Sequence, residues 1–190
     1  MLTSTDIRIH RATSADAAAI AGVHVRSWQK AYRGILPQAY LDGLDVGARA
    51  EFWRREIVAL PEDRRPWVAV VDGRILGFCA AGPARDDDLP AGCAEVYAIY
   101  VDPECWATGA GKALMEHQLT FLRRRGVPEA ALWVLADNTR AIGFYERGRW
   151  SRDGRSRTIA IGGRDVEEVR YRVRLRPAGG RPGESRSAST

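Results

Sequence analysis

The chain of 190 residues is 45% hydrophobic and 28% charged, with a formal net charge of +5. That is enough apolar matter for one core and too little length for two comfortable domains, so a single domain over residues 1–176 is expected and a disordered body is excluded. No stretch reaches the roughly eighteen apolar residues of a membrane span, and residues 1–11 lack the apolar centre of a signal peptide, so the expected protein is soluble and cytoplasmic, without a membrane partner.

Ile7 to Arg11 alternates like a strand, and Thr13 with Asp16 forms a capping-box signature before an Ala-rich helix reaching about Lys30. Gly34 and Pro37 interrupt the pattern. A second helix follows Asp45, with Trp53, Ile57 and Leu60 at helical spacing, and Pro61 ends it. Trp67 to Val71 and Arg74 to Ala81 are β-rich runs separated by Asp72-Gly73, a pair that tolerates the two positive φ values of a tight hairpin turn. After the acidic loop Asp86 to Asp88, Cys93 to Val101 is strand-like and stops at Asp102-Pro103. From Gly111 to Arg125, Leu114, Met115, Leu119 and Leu122 share one helical face, with Gly126 and Pro128 as the stop. Ala130 to Leu135 is a short buried-type strand, Asn138 to Arg147 a short helix closed by Gly148, and Thr158 to Leu175 a hairpin turning at Gly162-Gly163. The predicted class is α/β (α+β), a mixed, mostly antiparallel sheet with about four helices. Residues 177–190 are Pro, Gly, Ser and Arg with almost nothing apolar and are expected to be a mobile tail.

The positive charge gathers late, between Arg147 and Arg176. Nucleic acid is one reading of it. The alternation of Arg170, Arg172 and Arg174 with Val169, Tyr171 and Val173 instead marks the wet face of a half-buried strand, and no aromatic-and-basic recognition motif accompanies it. Cys79, Cys93 and Cys105 are odd in number and lack C-x-x-C or His-rich spacing, which fits reduced, packed thiols and no metal site.

The sharpest local feature is Trp106-Ala107-Thr108-Gly109-Ala110-Gly111-Lys112, placed after a strand and opening a helix. Glycines let a backbone turn and approach closely, so several N–H groups and the positive end of the helix dipole can face a phosphate. A Walker loop requires a further glycine at position 106 and Ser or Thr after the lysine, where Trp106 and Ala113 stand. A dinucleotide fingerprint requires Gly or Ala where Leu114 stands. Downstream, Asn138 and Tyr145 are seven residues apart, on one face of the short helix. Alone they also read as an N-cap and a half-buried anchor.

Taken in order, the strand Val96 to Val101, the glycine loop, the long helix, the strand Leu132 to Leu135 and Asn138-x-x-Ala141-x-x-Phe144-Tyr145 resemble the GNAT (general control N-acetyltransferase) superfamily. The resemblance covers residues 7 to about 175. It is most specific at Tyr100-Val101-Asp102-Pro103 and Gly109-x-Gly111-Lys112-Ala113-Leu114, which look like the family's acetyl-CoA motif; Val23 to Trp28 and Tyr32 to Pro37 look like small bacterial members. The family usually has Gln or Arg where Trp106 stands, which leaves open which side chain contacts the phosphates.

The resemblance implies an acetyl-CoA-dependent N-acetyltransferase acting on a primary amine of a small molecule or peptide, with the cosubstrate between splaying strands along Ile99, Tyr100 and Val101, the loop from Trp106 to Lys112, Asn138 and Tyr145. It implies a backbone N–H around Val101 as the oxyanion donor and Tyr145 as the acid that protonates the thiolate. For the base it points to Glu95, because period two puts that residue on the same strand face as Tyr97, Ile99 and Val101; His24 and a water chain are the alternatives. Trp28 and Tyr32, with Trp53 beside them, offer an aromatic wall for a cationic amine, although such spacing also suits a core. A homodimer is left open, as is a non-catalytic CoA-binding module of the same fold.

Overall fold

The computed structural model describes residues 7–175, so the tail expected at 177–190 lies outside the described residues. After β1 (Arg8–Arg11), the Thr13 N–H donates to the Asp16 carboxylate at 2.7 Å and leads into α1 (Ala17–Ala31). A five-residue α2 (Gln38–Asp42) precedes α3 (Val46–Ala59), whose first turn is capped when Asp45 accepts from the Ala48 N–H. Asp72 and Gly73, with φ of 48° and 78°, join β2 (Trp67–Val71) to β3 (Arg74–Pro83) through the turn that matches the strands' right-handed twist. Then come β4 (Ala94–Val101), α4 (Ala110–Arg124), β5 (Glu129–Leu135), α5 (Thr139–Arg147), β6 (Ser151–Ile161) and β7 (Arg164–Arg174).

Two elements depart from the predicted ones. The helix α2 raises the number to five; one turn and a half is too short for apolar periodicity to show. The strand β6 begins at Ser151 rather than Thr158, because pairing with β7 holds its polar first half, and the register shifts between Arg152 and Ser156, around Gly154 at φ 89°.

The seven strands lie in the order β1-β2-β3-β4-β5-β7-β6, and only β4 and β5 run parallel. A parallel neighbour needs a crossover, and α4 supplies it. Two cores result. Leu114, Met115, Leu119 and Leu122 of α4, with Tyr145 of α5, pack on one sheet face, and Ile20 and Val23 of α1 with Trp53 and Ile57 of α3 cover Val68, Val70 and Phe78 on the other. A third cluster joins Leu36 and Leu41 to Leu135 and Val166, with Trp28, Tyr32, Ile159 and Ile161 packed against it. Here the β6–β7 turn rests on α2: a Cβ at Gly162 would meet Tyr40 at 2.5 Å.

The parallel pairing is short. It consists of Ala94 with Ala130 and Glu95 with Ala131, after which β4 and β5 diverge. The cause lies in the next two residues: β3 pairs Ala80 with Ala98 and then Ala81 with Val96, so Tyr97 is an extra residue, a bulge that increases the local twist and turns β4 away.

Asp102 ends β4 and ties three elements together. It is 1% exposed, its N–H donates to Leu76 O at 2.8 Å, and its carboxylate accepts from Arg26 at 2.6 Å, from Arg74 and from the Glu104 N–H. Burial by itself would raise its pKa, but the hydrogen bond from Arg26, followed by that from Glu104, outweighs burial and holds the carboxyl below the usual range. Asp102→Ala is expected to cost about 2 kcal/mol, read from urea unfolding, because it removes a cap and leaves the half-exposed Arg26 guanidinium unpaired, while Arg74 keeps Glu104. An unchanged midpoint would show that this carboxylate holds nothing in place.

Candidate functional site

The gap left by β4 and β5 opens into a cleft of about 700 Å³. Backbone groups alternate in direction along a strand, and the Asp102 N–H is directed at β3, so the peptide groups of Ile99 and Val101 face the gap. The Val101 carbonyl is satisfied by Ser27 Oγ at 2.9 Å and Trp106 Nε1 at 2.8 Å. The side chains of Ile99, Tyr100 and Val101 line the cleft as well.

At one end the cleft meets the glycine loop. The first helical bond of α4 runs from the Ala113 N–H to Gly109 O at 2.9 Å, so the amides from Gly109 to Lys112 come ahead of the ladder. Ala107 and Gly109 hold positive φ values of 65° and 93°, and a Cβ at Gly109 would meet nothing within 4 Å, so the space in front of these amides is open. Thr108 ties the turn through Oγ1 to Cys105 O at 2.8 Å, and Ala110 is fully buried; both shape the loop without lining the cleft, which Trp106, Ala107, Gly109, Gly111 and Lys112 do line. The guanidinium of Arg140 lies 3.8 Å over the Trp106 ring. With Lys112 and Arg147 it gives this end of the cleft its positive charge. Arg140 was missed in the sequence although it stands two positions after Asn138, which caps α5 by accepting from the Ala141 N–H at 3.1 Å and also lines the cleft.

Tyr145 lines the middle. Its ring packs among Phe144, Trp150 and Tyr171 at 9% exposure, and its hydroxyl makes no hydrogen bond among the described residues. Burial, with Tyr100 and Cys79 as lesser contributions, raises the phenol well above its ordinary pKa. The phenol therefore keeps its proton at neutral pH.

The far end is aromatic. Trp28 of α1 and Tyr32, which caps its C-terminus, stand edge to face with centroids 5.0 Å apart, and the Tyr32 hydroxyl lies 3.3 Å from that of Tyr100. Ile159, Ile161 and Glu168 from the β6–β7 hairpin complete this end. Burial foremost raises the Tyr32 phenol, then Tyr100, with Glu168 adding to it. Glu168 was also missed: it stands beside the exposed Glu167 in a charged strand, and the pairing of Glu168 with Leu135 brings it over the gap.

Two sequence expectations are corrected. The bulge at Tyr97 breaks period two, so Val96, rather than Glu95, shares the α4 face with Ile99 and Val101. Glu95 is 2% exposed, does not line the cleft, and accepts three hydrogen bonds from Arg85, so its carboxylate is not free to take a proton from a bound amine. Arg170 does not lie on a wet face: it is 3% exposed beneath the acidic loop, bonded to Asp86, Asp88 and Asp153. His24 likewise does not line the cleft; it stacks on Tyr100 at 5.0 Å and accepts from Trp53 Nε1 at 3.1 Å. All three cysteines are buried, and burial pushes the Cys79 thiol up to about 12 and Cys93 to about 11.

The family model described as acetyltransferase (GNAT) family matches residues 25–149. An uncharacterized N-acetyltransferase, YuaI, of Bacillus subtilis is 31% identical over 143 residues, covering 74% of this chain and 78% of its own. A mycothiol acetyltransferase of Saccharopolyspora erythraea is 33% identical over 143 residues, covering 63% of this chain; the chain spans 46% of that longer relative. Among solved structures, the PaiA N-acetyltransferase of Thermoplasma acidophilum in complex with coenzyme A superposes with a TM-score of 0.67 at 22% identity, covering 85% of this chain and 97% of that one, a likeness of fold.

His24 generates a pH prediction. With Nδ1 accepting, Nε2 carries the proton and finds no partner, and burial, then Arg49, pushes the pKa down to about 3. The unfolded chain takes up a proton near pH 6.5 and the folded one does not, so stability is fully present above 6.5 and falls as pH drops toward 3. Between pH 7 and pH 5 the loss is expected to be about 2 kcal/mol in denaturant unfolding, and His24→Leu is expected to remove that part of the slope. An equal slope in the variant would place the acid sensitivity elsewhere.

Proposed function

The chain belongs to the acetyltransferase (GNAT) family, and we propose that it moves an acetyl group from acetyl-CoA to a primary amine of a small molecule or peptide by direct attack on the thioester. The observation that supports this reading is the end of β4–β5 pairing beside the open N-terminus of α4, with Tyr145 among the residues that line the same cleft. Acetyl-CoA supplies an acyl group activated as a thioester.

The residues present suit such a molecule. The amides from Gly109 to Lys112, with Lys112 and the Trp106-stacked Arg140, would hold a diphosphate; a side chain at position 109 would stand in its way. The strand edge from Ile99 to Val101, having lost its partner strand, would pair with a chain of amide groups as that strand would have done. An N–H of the same edge is the donor for a carbonyl oxygen that gains charge during attack, and because it belongs to the backbone no side-chain change removes it. The amine would attack in its neutral form, having given its first proton to a water chain; Tyr145 would give its proton to the departing sulfur, and the second proton, released as the amide forms, would return to the Tyr145 phenolate. Glu95 has no part in this scheme, being held by Arg85. The CoA complex of the Thermoplasma protein and the names of the relatives support the donor, and neither bears on the acceptor.

Tyr145→Phe is expected to lower kcat by about 100-fold or more while CoA affinity stays within about threefold, read by thiol release and by calorimetry. Unchanged turnover would remove Tyr145 from the acid role. Gly109→Asp is expected to abolish the thermal stabilisation that CoA gives, about 2.7 kcal/mol at a hundredfold excess over Kd, since a carboxylate would stand against the diphosphate. Stabilisation of the native chain without turnover on any amine would instead mark a CoA-binding module.

A further inference from the structure

The charges in the cleft are divided between its ends. Lys112, Arg140 and Arg147 come from α4 and α5, on the side of the glycine loop. Among the described residues that line the cleft, Glu168 is the sole carboxylate, and it stands at the other end with Trp28, Tyr32, Ile159 and Ile161. Most other buried carboxylates near the sheet are spoken for: Asp102 by Arg26, Glu95 by Arg85, Glu129 by Arg172. Glu168 is held on one side alone. Its Oε2 accepts from Arg157 at 2.7 and 2.8 Å, while its Oε1 makes no hydrogen bond among the described residues. Arg157 does not line the cleft; its guanidinium lies 4.1 Å over the Trp133 ring and fixes the carboxylate from outside.

Resting on the acetyl-transfer reading, we propose that Glu168 is the specificity-determining anchor for the acceptor's ammonium, and that the acceptor is an amine whose sole charge is that ammonium, carried on a flat apolar body. One carboxylate with one free oxygen matches one cation. A polyamine would bring two or three positive charges to an end of the cleft that offers a single negative one, and each unpaired charge would lose its hydration without compensation. An amino acid would bring a carboxylate toward Glu168, with the cleft's cations at the opposite end. An aromatic or branched apolar body gains from burial against Trp28, Tyr32, Ile159 and Ile161, and the ammonium gains further from the faces of the two rings.

The test uses the full chain with saturating CoA and three probes that differ in charge: 2-phenylethylamine, spermidine and phenylalanine. Calorimetry is expected to show 2-phenylethylamine bound at least about tenfold more tightly than the other two, and thiol release from acetyl-CoA to follow the same order. In E168Q the Kd for 2-phenylethylamine is expected to rise about tenfold or more, with CoA-induced stabilisation unchanged. R157M is expected to act in the opposite sense, tightening the amine about two- to fivefold by freeing the second oxygen. A merely structural ion pair would move both variants alike. Preference for spermidine or phenylalanine, binding of 2-phenylethylamine indifferent to Glu168, or the same shift in both variants would overturn the proposal. CoA that fails to stabilise the native chain would instead overturn acetyl transfer, and the amine titration, read separately, would still decide the role of Glu168.

Discussion

A sheet interior must satisfy its amide groups, and this sheet stops doing so in its middle. β4 and β5 exchange hydrogen bonds only as far as Glu95 and Ala131, and the bulge at Tyr97 then carries β4 away. Beyond that point the peptide groups of Ile99 and Val101 face a gap instead of a strand. Buried backbone groups are seldom left unpaired, so an edge of this kind, enclosed by the same fold that created it, is suited to pair with other amides. The crossover that makes β4 and β5 parallel also sets the N-terminus of α4 beside the gap, so one topological step yields both a strand edge and a helix N-terminus with free amides.

Arginines do much of the work of fixing that geometry. Arg26 binds Asp102 where β4 turns into the loop, Arg85 binds Glu95 where the strands part, and Arg170 gathers Asp86, Asp88 and Asp153 beneath the acidic loop. Each carboxylate taken into such a pair is withdrawn from chemistry. The net charge of +5 therefore says little about the cleft; what matters is which charges remain without a partner there. Among the described residues, on the loop side these are Arg140 and Arg147, since Lys112 meets Glu116 at 3.8 Å, and at the far end it is one oxygen of Glu168.

The far end depends on parts that are distant in sequence. Trp28 and Tyr32 come from the C-terminal end of α1 and its cap, while Ile159, Ile161 and Glu168 come from the last hairpin, whose glycine turn sits on Tyr40 of α2. Loop-side residues are held by a short strand-loop-helix segment, so their shape can persist while the opposite wall is rebuilt. Such a division suits a family in which one donor serves many acceptors.

Much of this was legible residue by residue. Asp72-Gly73 could hardly be anything other than a tight turn, the Leu114-Met115-Leu119-Leu122 stripe demanded a helix packed on a sheet, and Trp106 to Lys112 marked a glycine loop opening a helix, because each signal is local and stems from steric or periodic rules acting within a few residues. Tyr145 and Asn138 could be placed on one helix face for the same reason. What the tertiary structure alone decided was which carboxylate meets the cleft. Period two assigned Glu95 to it, and a single inserted residue, Tyr97, reversed the assignment; a bulge leaves no mark in composition because it is set by the register of the neighbouring strand. Glu168, indistinguishable in sequence from the exposed Glu167 beside it, reaches the site because β7 pairs with β5, a contact between residues more than thirty positions apart that no local pattern encodes.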